Sequence, residues 1–290
     1  MAGPPKSSHF VIAGTGYTGL RVLNALPADR SFGISRAQAP SSGSEIRALD
    51  LDLAGTEKID LPCPCTLLYS IPPGTDSKED HRLESFLARL QPAPVRLVYL
   101  STSGVYGDRA GELTRETDPV NPSTDRARRR LAAERLLQRW CVQADCELFV
   151  LRIPGIYGPG RLGLERLQNG AAIIREVDSG PGNRIHVDDL VTCCIAAMTG
   201  EAPPGIYNTA DGDHRSNYWF RRTVAEFAGL PAPHEISFQE AERTWSETRL
   251  SFVRESRRLD TEKLRSVLGA RLRYPNAQDG IRASLAEEDL

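Results

Sequence analysis

Residues 10–19 read Phe10-Val11-Ile12-Ala13-Gly14-Thr15-Gly16-Tyr17-Thr18-Gly19, a short apolar run followed by three closely spaced glycines. The apolar run predicts a buried strand, the glycines a tight turn, and the apolar residues that follow a helix that stops at Pro27. Glycines at this spacing allow the sharp turn, a close approach of backbone to a pyrophosphate, and tight packing of helix on strand. We therefore predict a dinucleotide-binding turn made by Gly14, Thr15, Gly16, Tyr17, Thr18 and Gly19. The alternative is a strand–turn–helix without a ligand.

The next predicted strand covers residues 31–35 and ends at Ser35 and Arg36. An NAD site typically has an acid about 20 residues beyond the first glycine, where it binds the ribose 2′-hydroxyl. A hydroxyl and a guanidinium suit a 2′-phosphate better. We therefore predict that Ser35 and Arg36 contact the cofactor, with NADP preferred over NAD. The alternative for Arg36 is a solvent-facing loop residue.

Strands and helices are predicted to alternate along the first hundred residues, which indicates an α/β fold with a doubly wound parallel sheet. Ligands of such sheets bind at the carboxyl ends of the strands. We therefore also assign to the cofactor site the residues that end the third and fourth predicted strands, namely Asp50, Ser70, Ile71 and Pro72.

Composition excludes several classes of function. The chain has 290 residues and a net charge of −2, which gives no electrostatic reason to expect binding to nucleic acid or to an anionic membrane. No apolar run approaches the roughly 20 residues of a membrane helix, and the first residues lack the apolar core of a signal peptide. We therefore expect a cytoplasmic protein. The six cysteines form no C-x-x-C pair, so we expect reduced thiols and no metal site.

Five segments resemble, in the same order, motifs of the extended short-chain dehydrogenases/reductases, the epimerase/dehydratase group. They are residues 101–107 (S-T-S-G-V-Y-G), 152–161 (R-I-P-G-I-Y-G-P-G-R), 184–190 (R-I-H-V-D-D-L), 205–208 (G-I-Y-N) and the tail at 258–281. The resemblance covers essentially the whole chain. It implies a Rossmann-type dinucleotide-binding domain over residues 1–152, to which residues 185–210 return. It also implies a smaller, interleaved C-terminal substrate domain over residues 153–290.

One motif of this group is missing. Its members transfer a proton with a Tyr-x-x-x-Lys pair on a helix, and no lysine of this chain has a tyrosine four residues before it. Aligning residues 130–134 (R-L-A-A-E) with the group's K-L-A-A-E helix places Arg130 at the lysine and Arg126 at the tyrosine. Arginine stays protonated and cannot be a general base, but two guanidiniums one turn apart could hold a carboxylate or phosphate. The alternative is a solvent-facing helix on which Arg130 pairs with Glu134.

The resemblance implies further roles. Thr102 matches the Ser/Thr position that holds the reacting hydroxyl, and Tyr106 is a second candidate acid, although packing beneath the substrate loop is the favoured alternative. Arg130 is a third catalytic candidate. Pro154 is assigned to the cofactor, Arg126 and Arg161 to the substrate, and His186 to a structural role.

Two functions are consistent with these observations. The first is an NADP(H)-dependent oxidoreductase or epimerase/dehydratase-like enzyme that acts on a small polar or sugar-like substrate. The alternative is a non-catalytic NADP(H)-binding redox sensor or regulatory module, which the missing base favours. A homodimer formed through the helix at 126–140 is expected from the group, and ordinary packing of that helix on the sheet is the alternative.

Overall fold

The central sheet contains seven parallel strands among the described residues. They are β1 (His9–Ala13), β2 (Ser31–Ser35), β3 (Glu45–Ala48), β4 (Cys65–Tyr69), β5 (Arg96–Thr102), β6 (Glu147–Ile153) and β7 (Gly205–Asn208). Their order is β3-β2-β1-β4-β5-β6-β7, and every neighbouring pair is parallel. The chain therefore starts in the middle of the sheet and winds toward each edge in turn. This topology confirms the predicted doubly wound α/β fold and places its switch point between β1 and β4.

This computed structural model describes residues 9–36, 43–49, 58–75, 77 and 79–288. Asp50, which we predicted to contact the cofactor, lies outside these ranges.

The helices of the described residues are α1 (Tyr17–Ala25), α2 (His81–Arg89), α3 (Asp125–Gln143), α4 (Leu164–Gln168), α5 (Val187–Thr199), α6 (Asn217–Phe227), α7 (Phe238–Thr244), α8 (Glu247–Leu250), α9 (Glu262–Ser266) and α10 (Ala277–Glu288). Helix α1 ends before Pro27, and α3 extends the helix predicted at 126–140 by one residue at its start and three at its end. Single 3₁₀ turns cover Ala28–Arg30, Ser103–Tyr106 and Glu176–Asp178.

Helices cover both faces of the sheet. Helices α1 and α5 pack on one face, where Leu23 and Leu190 join the same apolar cluster as Ile12. Helices α2 and α3 pack on the other face, where Phe86 and Leu137 surround Val11. Burial on both sides explains why β1 is an unbroken apolar run and does not alternate. Leu137 is fully buried within the chain, as the alternative of ordinary packing predicted, and the homodimer stays a prediction.

A smaller C-terminal part packs around its own apolar cluster. Tyr157, Phe220 and Ile281 bring together the loop after β6, helix α6 and helix α10. Two-residue strands add local pairing at Ile173–Ile174 with Glu235–Ile236, Arg258–Leu259 with Leu113–Thr114, and Ile59–Asp60 with Leu90–Gln91.

The predicted domain limits stay a prediction. Arg184–His186 pairs with Gly155–Tyr157 in a separate two-stranded sheet. Ile185, where we placed the return to the dinucleotide-binding domain, packs in the same apolar cluster as Ile12 of β1. Residues of the tail also join the central core, because the apolar side chains of Leu264 and Leu268 pack in the same cluster as α5. The broader division at residue 152 stays a prediction.

No helix in the ranges given above has both the length and the apolar content needed to cross a lipid bilayer.

Candidate functional site

The turn between β1 and α1 needs glycine at two positions for steric reasons. Gly14 has a φ of +97°, and a Cβ there would lie 2.7 Å from Ser70 Oγ. A Cβ on Gly19 would lie 1.9 Å from the carbonyl oxygen of Gly14. Both positions therefore exclude any larger residue, and the helix starts directly against the strand.

Gly16 differs from both, because a Cβ there would meet no atom within 4 Å. It is the N-cap of α1, and as a glycine it has no side chain to accept a capping hydrogen bond from the first turn of this helix. Beside it, Thr15 is buried, and its Oγ1 has no hydrogen-bond partner among the described residues. Free N–H groups at a helix N-terminus, space beside the backbone and an unpartnered hydroxyl fit the pyrophosphate of a dinucleotide.

Other predicted cofactor residues surround this turn. The Ser70 hydroxyl donates to the carbonyl of Gly14 at 2.6 Å, so it supports the turn from behind. Ile71 also packs behind Gly14, within 2.9 Å of where a Cβ would stand. Pro72 follows on the chain, and Ser35 and Arg36 lie at the carboxyl end of β2. Their contacts with a cofactor stay predictions.

Tyr17 connects the turn to the loop after β6. Its hydroxyl donates to the carbonyl of Pro159 at 2.9 Å. The guanidinium of Arg161 lies 3.9 Å from the centre of its ring, and that of Arg21 lies 4.1 Å away. Thr18, the next residue, is buried in α1. The ring thus holds two cations beside the N-terminus of α1, a place suited to phosphate.

A cavity of about 990 Å³ lies between the sheet and the C-terminal part. Thr102, Pro154, Arg126 and Arg161, all predicted site residues, are among those that line it. Thr102 Oγ1 accepts a hydrogen bond from the N–H of Gly104 at 3.2 Å, which leaves its hydroxyl proton able to donate. The structure therefore brings the end of β5, the end of β6 and the start of α3 together at one cavity.

The charge of this cavity is strongly positive. Among the described residues that line it, two are acids, Asp178 and Glu255, and seven are arginines: Arg126, Arg161, Arg166, Arg184, Arg221, Arg249 and Arg257. Such a surface attracts anions and repels cations.

Three of these arginines lie close together without an acid. Burial lowers the pKa of Arg221, and the charges of Arg166 and Arg184 lower it further. Burial and the charges of Arg166 and Arg221 lower the pKa of Arg249 in the same way. In the described part of the chain, Arg166, Arg221 and Arg249 form no ion pair with a carboxylate. Their mutual repulsion would be relieved by an anion bound in the cavity.

The side chains of Arg126 and Arg130, at the positions of the missing tyrosine and lysine, point in different directions. Arg126 lines the cavity, and its guanidinium lies 4.2 Å from the centre of the Phe252 ring. Arg130 turns toward the sheet, where it donates to the carbonyl of Leu100 and contacts the hydroxyl of Tyr99 at 3.4 Å. The prediction of a two-guanidinium clamp facing the substrate is therefore wrong. Arg130 holds the end of β5, and any catalytic role of this residue stays a prediction.

The alternative pairing of Arg130 with Glu134 is also wrong. Glu134 is buried and accepts two hydrogen bonds from Arg152 of β6, at 3.2 Å and 2.7 Å. Ser101 of β5 donates to the same carboxylate at 2.5 Å. Glu134 thus ties α3 to two adjacent strands directly beneath the cavity.

Tyr106 is corrected as a candidate acid. Its side chain is fully buried, and its hydroxyl donates to Asn208 Oδ1 at 2.7 Å. Burial raises the pKa of Tyr106 to about 12. The ring does not line the cavity and instead stacks beneath Arg152, at 4.8 Å from its guanidinium. The alternative of a packing residue is confirmed.

His186 has the structural surroundings that we predicted. Its Nδ1 accepts from the N–H of Asp188 at 3.2 Å, and its Nε2 contacts Ser284 Oγ at 3.1 Å. Burial lowers the pKa of this imidazole, so it is held neutral between the loop after β6 and α10.

The expectation of no metal site stays a prediction. Side-chain atoms of Glu79, His81 and Glu84 lie within 4.8 Å of one another, but all three residues are exposed.

Comparison with known proteins places this geometry in a family. Residues 82–210 match the model of the NAD dependent epimerase/dehydratase family. The solved structure of a functionally unknown conserved protein from Silicibacter pomeroyi DSS is 31% identical, covers 98% of this chain and 100% of its own, and superposes with a TM-score of 0.80. The chain belongs to the NAD dependent epimerase/dehydratase family.

Other similar proteins share less of the sequence. The structure titled MoeE5 in complex with UDP-glucose and NAD is 21% identical over 96% of this chain and 98% of its own, with a TM-score of 0.76, and it shows the same fold. The 3-diazoavenalumate denitrifying reductase of a Streptomyces species is 27% identical over 50% of this chain and 49% of its own length. The chain spans between 27% and 52% of the length of the curated relatives that it matches.

Several cavity residues were not found from the sequence. Arg166, Arg221, Arg249 and Glu255 lie in segments without a motif, and only the fold brings them together. The available signal was compositional, because four of the 36 basic residues are lysines and arginine supplies the rest.

Proposed function

We propose that this protein is an NAD(P)(H)-dependent oxidoreductase or epimerase/dehydratase-like enzyme for an anionic, sugar-like small molecule. The observation that carries the proposal is a cavity lined by seven arginines that begins at Thr102 and Pro154, beside the dinucleotide-binding turn. A basic, partly enclosed cavity at the carboxyl ends of parallel strands suits a negatively charged substrate held next to a cofactor.

Residues of the β1–α1 turn would hold the cofactor. The backbone at Gly16 and the N-terminus of α1 suit its pyrophosphate, and Thr15 offers a hydroxyl. Bound there, a nicotinamide dinucleotide supplies hydride donation and acceptance. We propose that Ser35 and Arg36 favour NADP, since both can donate to a 2′-phosphate.

A phosphate-bearing substrate accounts for the unpaired arginines. A diphosphate between Arg166, Arg221 and Arg249 would bring the charge that this cluster lacks. MoeE5, which has the same fold, was solved with UDP-glucose and with NAD, so a sugar nucleotide is the first substrate class to examine. Thr102 would donate to the reacting hydroxyl or carbonyl.

A non-catalytic NADP(H)-binding sensor is the second candidate function. It is favoured by one observation, the presence of arginines at the positions of the proton-transferring tyrosine and lysine. Neither guanidinium can accept a proton.

The test is a titration of the purified protein with NADPH, NADH, NADP and NAD, followed by turnover assays with sugar nucleotides and other anionic carbonyl compounds. Nucleotide binding with turnover of one substrate class is the expected result. Binding without any turnover would favour the sensor. Absence of nucleotide binding would contradict both candidates.

The choice between NADP and NAD is tested by Arg36→Ala. Loss of the 2′-phosphate contact is expected to weaken NADP binding by about tenfold to a hundredfold and to leave NAD binding nearly unchanged. Isothermal titration calorimetry measures both affinities. Equal losses for the two cofactors would contradict the assignment of Arg36.

We also propose a cytoplasmic location and a homodimer, as expected from the sequence. Sedimentation velocity across a range of protein concentrations tests the second, and a single monomeric species throughout would contradict it.

A further inference from the structure

The proposed reaction requires a side chain that exchanges a proton with the substrate, and the cavity restricts the choice. Arginine is always protonated, and serine and threonine hydroxyls are too weakly acidic to take this role without a partner. Among the described lining residues, four others can titrate: Tyr157, Tyr218, Asp178 and Glu255.

Both tyrosines direct their hydroxyls away from a substrate. The hydroxyl of Tyr157 is buried against α10, where a Cβ on Gly280 would lie 2.3 Å from it, and burial raises its pKa. The hydroxyl of Tyr218 donates to Glu235 Oε1 at 2.9 Å, and Glu235 does not line the cavity.

The two acids differ in their positions. Asp178 is tied to α7, because its Oδ2 accepts from the N–H of Phe238 at 3.1 Å and from Arg175 Nε at 2.5 Å. These hydrogen bonds lower the pKa of Asp178 and bind it to the C-terminal part.

Glu255 is held at the beginning of α3. Its Oε1 accepts from the hydroxyl of Ser123, and its Oε2 accepts from Arg257 Nη1 at 2.9 Å. The side chain is 10% exposed, and its charge acts on Arg126. Arg257 in turn donates to the carbonyl of Gly107 at 2.5 Å, which fixes the segment to the loop after β5.

The first turn of α3 also borders Thr102. A Cβ on Gly104 would lie 3.4 Å from Ala127 Cβ of this turn and 3.5 Å from Thr102 Oγ1. Glu255 and Thr102 both line the cavity, and the start of α3 connects them, through Ser123 on one side and through Ala127 and Gly104 on the other. This is the helix turn at which the resemblance to the extended short-chain dehydrogenases/reductases places a tyrosine and this chain has Arg126.

We propose that Glu255 is the proton-exchanging residue of this cavity, in place of the missing tyrosine. The inference rests on the proposed function. In the oxidising direction, the O–H bond of a substrate alcohol breaks and its proton passes to Glu255. The C–H bond of the same carbon breaks, its hydride goes to the oxidised nicotinamide cofactor, and the carbon–oxygen bond becomes double. Among the described residues, Arg257 donates to the carboxylate and Arg126 feels its charge.

The test compares Glu255→Gln with Glu247→Gln, an exposed glutamate of α8 that does not line the cavity, using NADP or NAD and a sugar nucleotide such as UDP-glucose. Glu255→Gln is expected to lower kcat by about 100- to 10,000-fold and to remove the acid-side decline of kcat/KM. Nucleotide affinity and Tm are expected to stay close to those of the wild type. Glu247→Gln removes the same charge outside the cavity and should retain the turnover and its pH profile. Added formate should restore part of the activity of Glu255→Ala.

The outcomes separate the two proposals. A Glu255→Gln variant that turns over with the wild-type pH profile contradicts this inference and leaves the proposed function intact. A wild-type protein that binds nucleotide but turns over no substrate contradicts the proposed function and this inference together. If Glu255→Gln fails to fold, Glu255→Asp decides, because it keeps the charge but shortens the reach. An unchanged rate in Glu255→Asp contradicts the inference, and a lowered kcat with unchanged nucleotide affinity supports it.

Discussion

Gly16 is the residue on which we expect cofactor binding to depend most directly. Its two neighbouring glycines are required by the protein itself, since a Cβ on either would collide with the turn. A Cβ on Gly16 would extend into open space, where we propose that the pyrophosphate binds. Gly14 and Gly19 are therefore needed for the packing of the turn, whereas we expect Gly16 to be needed for ligand binding.

We expect Gly16→Val to fold normally and to lose measurable nucleotide binding, because the new side chain would fill the space beside the backbone. Its φ of −77° is accessible to any residue. Fluorescence titration with NADPH, together with thermal unfolding, measures both properties. The matched control is Gly19→Ala, which should lower the temperature of unfolding because its Cβ would collide with the carbonyl oxygen of Gly14. Wild-type nucleotide affinity in Gly16→Val would show that the turn does not bind the cofactor.

Asp211 gives a pH dependence that can be assigned to a single residue. Burial raises the pKa of Asp211 to about 8, and its Oδ2 has no hydrogen-bond partner among the described residues. Between pH 4 and this value the folded protein binds the proton more tightly than the unfolded chain. The contribution of Asp211 to stability is therefore full below about pH 4 and is lost as the pH rises toward 8.

We expect Asp211→Asn to reduce this decline and to unfold at a higher temperature than the wild type above pH 8. The slope attributable to one proton is at most about 1.4 kcal/mol per pH unit. Calorimetry of the wild type and the variant at a series of pH values isolates the contribution of Asp211. The buried histidines contribute equally to the pH dependence of both proteins and cancel in the comparison. Parallel curves for the two proteins would contradict the assignment.

At the scale of the element, α3 is the most informative helix. One turn places Arg126 at the cavity, the next places Arg130 on the carbonyl of Leu100, and the third places Glu134 on Arg152. The three residues follow one another at four-residue spacing in the sequence. Nevertheless, Arg126 lines the cavity, Arg130 binds the backbone of β5, and Glu134 forms a buried ion pair. Its buried ion pair, with side chains 4% and 1% exposed, supports the end of β5 where Thr102 lies.

We expect Glu134→Gln to destabilise the protein by about 3–5 kcal/mol, because Arg152 would be left as a buried, unpaired charge. Urea unfolding measures the change. Arg128→Gln, on the same helix, is the control: its pair with Asp125 is exposed and should contribute less than about 1 kcal/mol. Similar losses of unfolding free energy in Glu134→Gln and Arg128→Gln would show that the buried ion pair stabilises the protein no more than the exposed one.

Elements could be predicted where the sequence pattern is local. The strand, turn and helix around Gly14 and the strand ending at Thr102 follow from apolar runs and glycine spacing. The partner of Glu134 could not be predicted, because Arg152 is 18 residues away and reaches it only through the sheet. Tyr106 was ambiguous for the same reason, since its partner Asn208 is 102 residues distant. Glu255 and the arginine cluster carry no motif at all.

At the scale of the whole molecule, the cavity is lined by residues of both the sheet part and the C-terminal part of the chain. Thr102 and Arg126 come from the dinucleotide-binding part, and Arg221 and Arg249 come from the C-terminal part. The substrate should therefore contact both parts at once, with its anionic end toward α6.

We expect Arg221→Gln to weaken binding of UDP-glucose, or of whichever anionic substrate is identified, by about tenfold to a hundredfold. Arg222→Gln, its neighbour on α6, is the control, because Arg222 pairs with Glu235 and does not line the cavity. Affinities measured at several salt concentrations should converge as salt screens the cavity. Equal affinities for both variants at low salt would contradict an anionic substrate.

The way the tail packs on the central sheet has a consequence for biosynthesis. Leu264 and Leu268 cover the face of the sheet on which Phe149 and Tyr207 lie, and Lys263 donates to the carbonyl of Ile206 in β7 at 2.7 Å. A ribosome therefore completes both strands well before it makes the residues that cover them. Until that segment emerges, part of the apolar sheet surface of the nascent chain lacks its cover, and we expect chaperones to shield it during that interval.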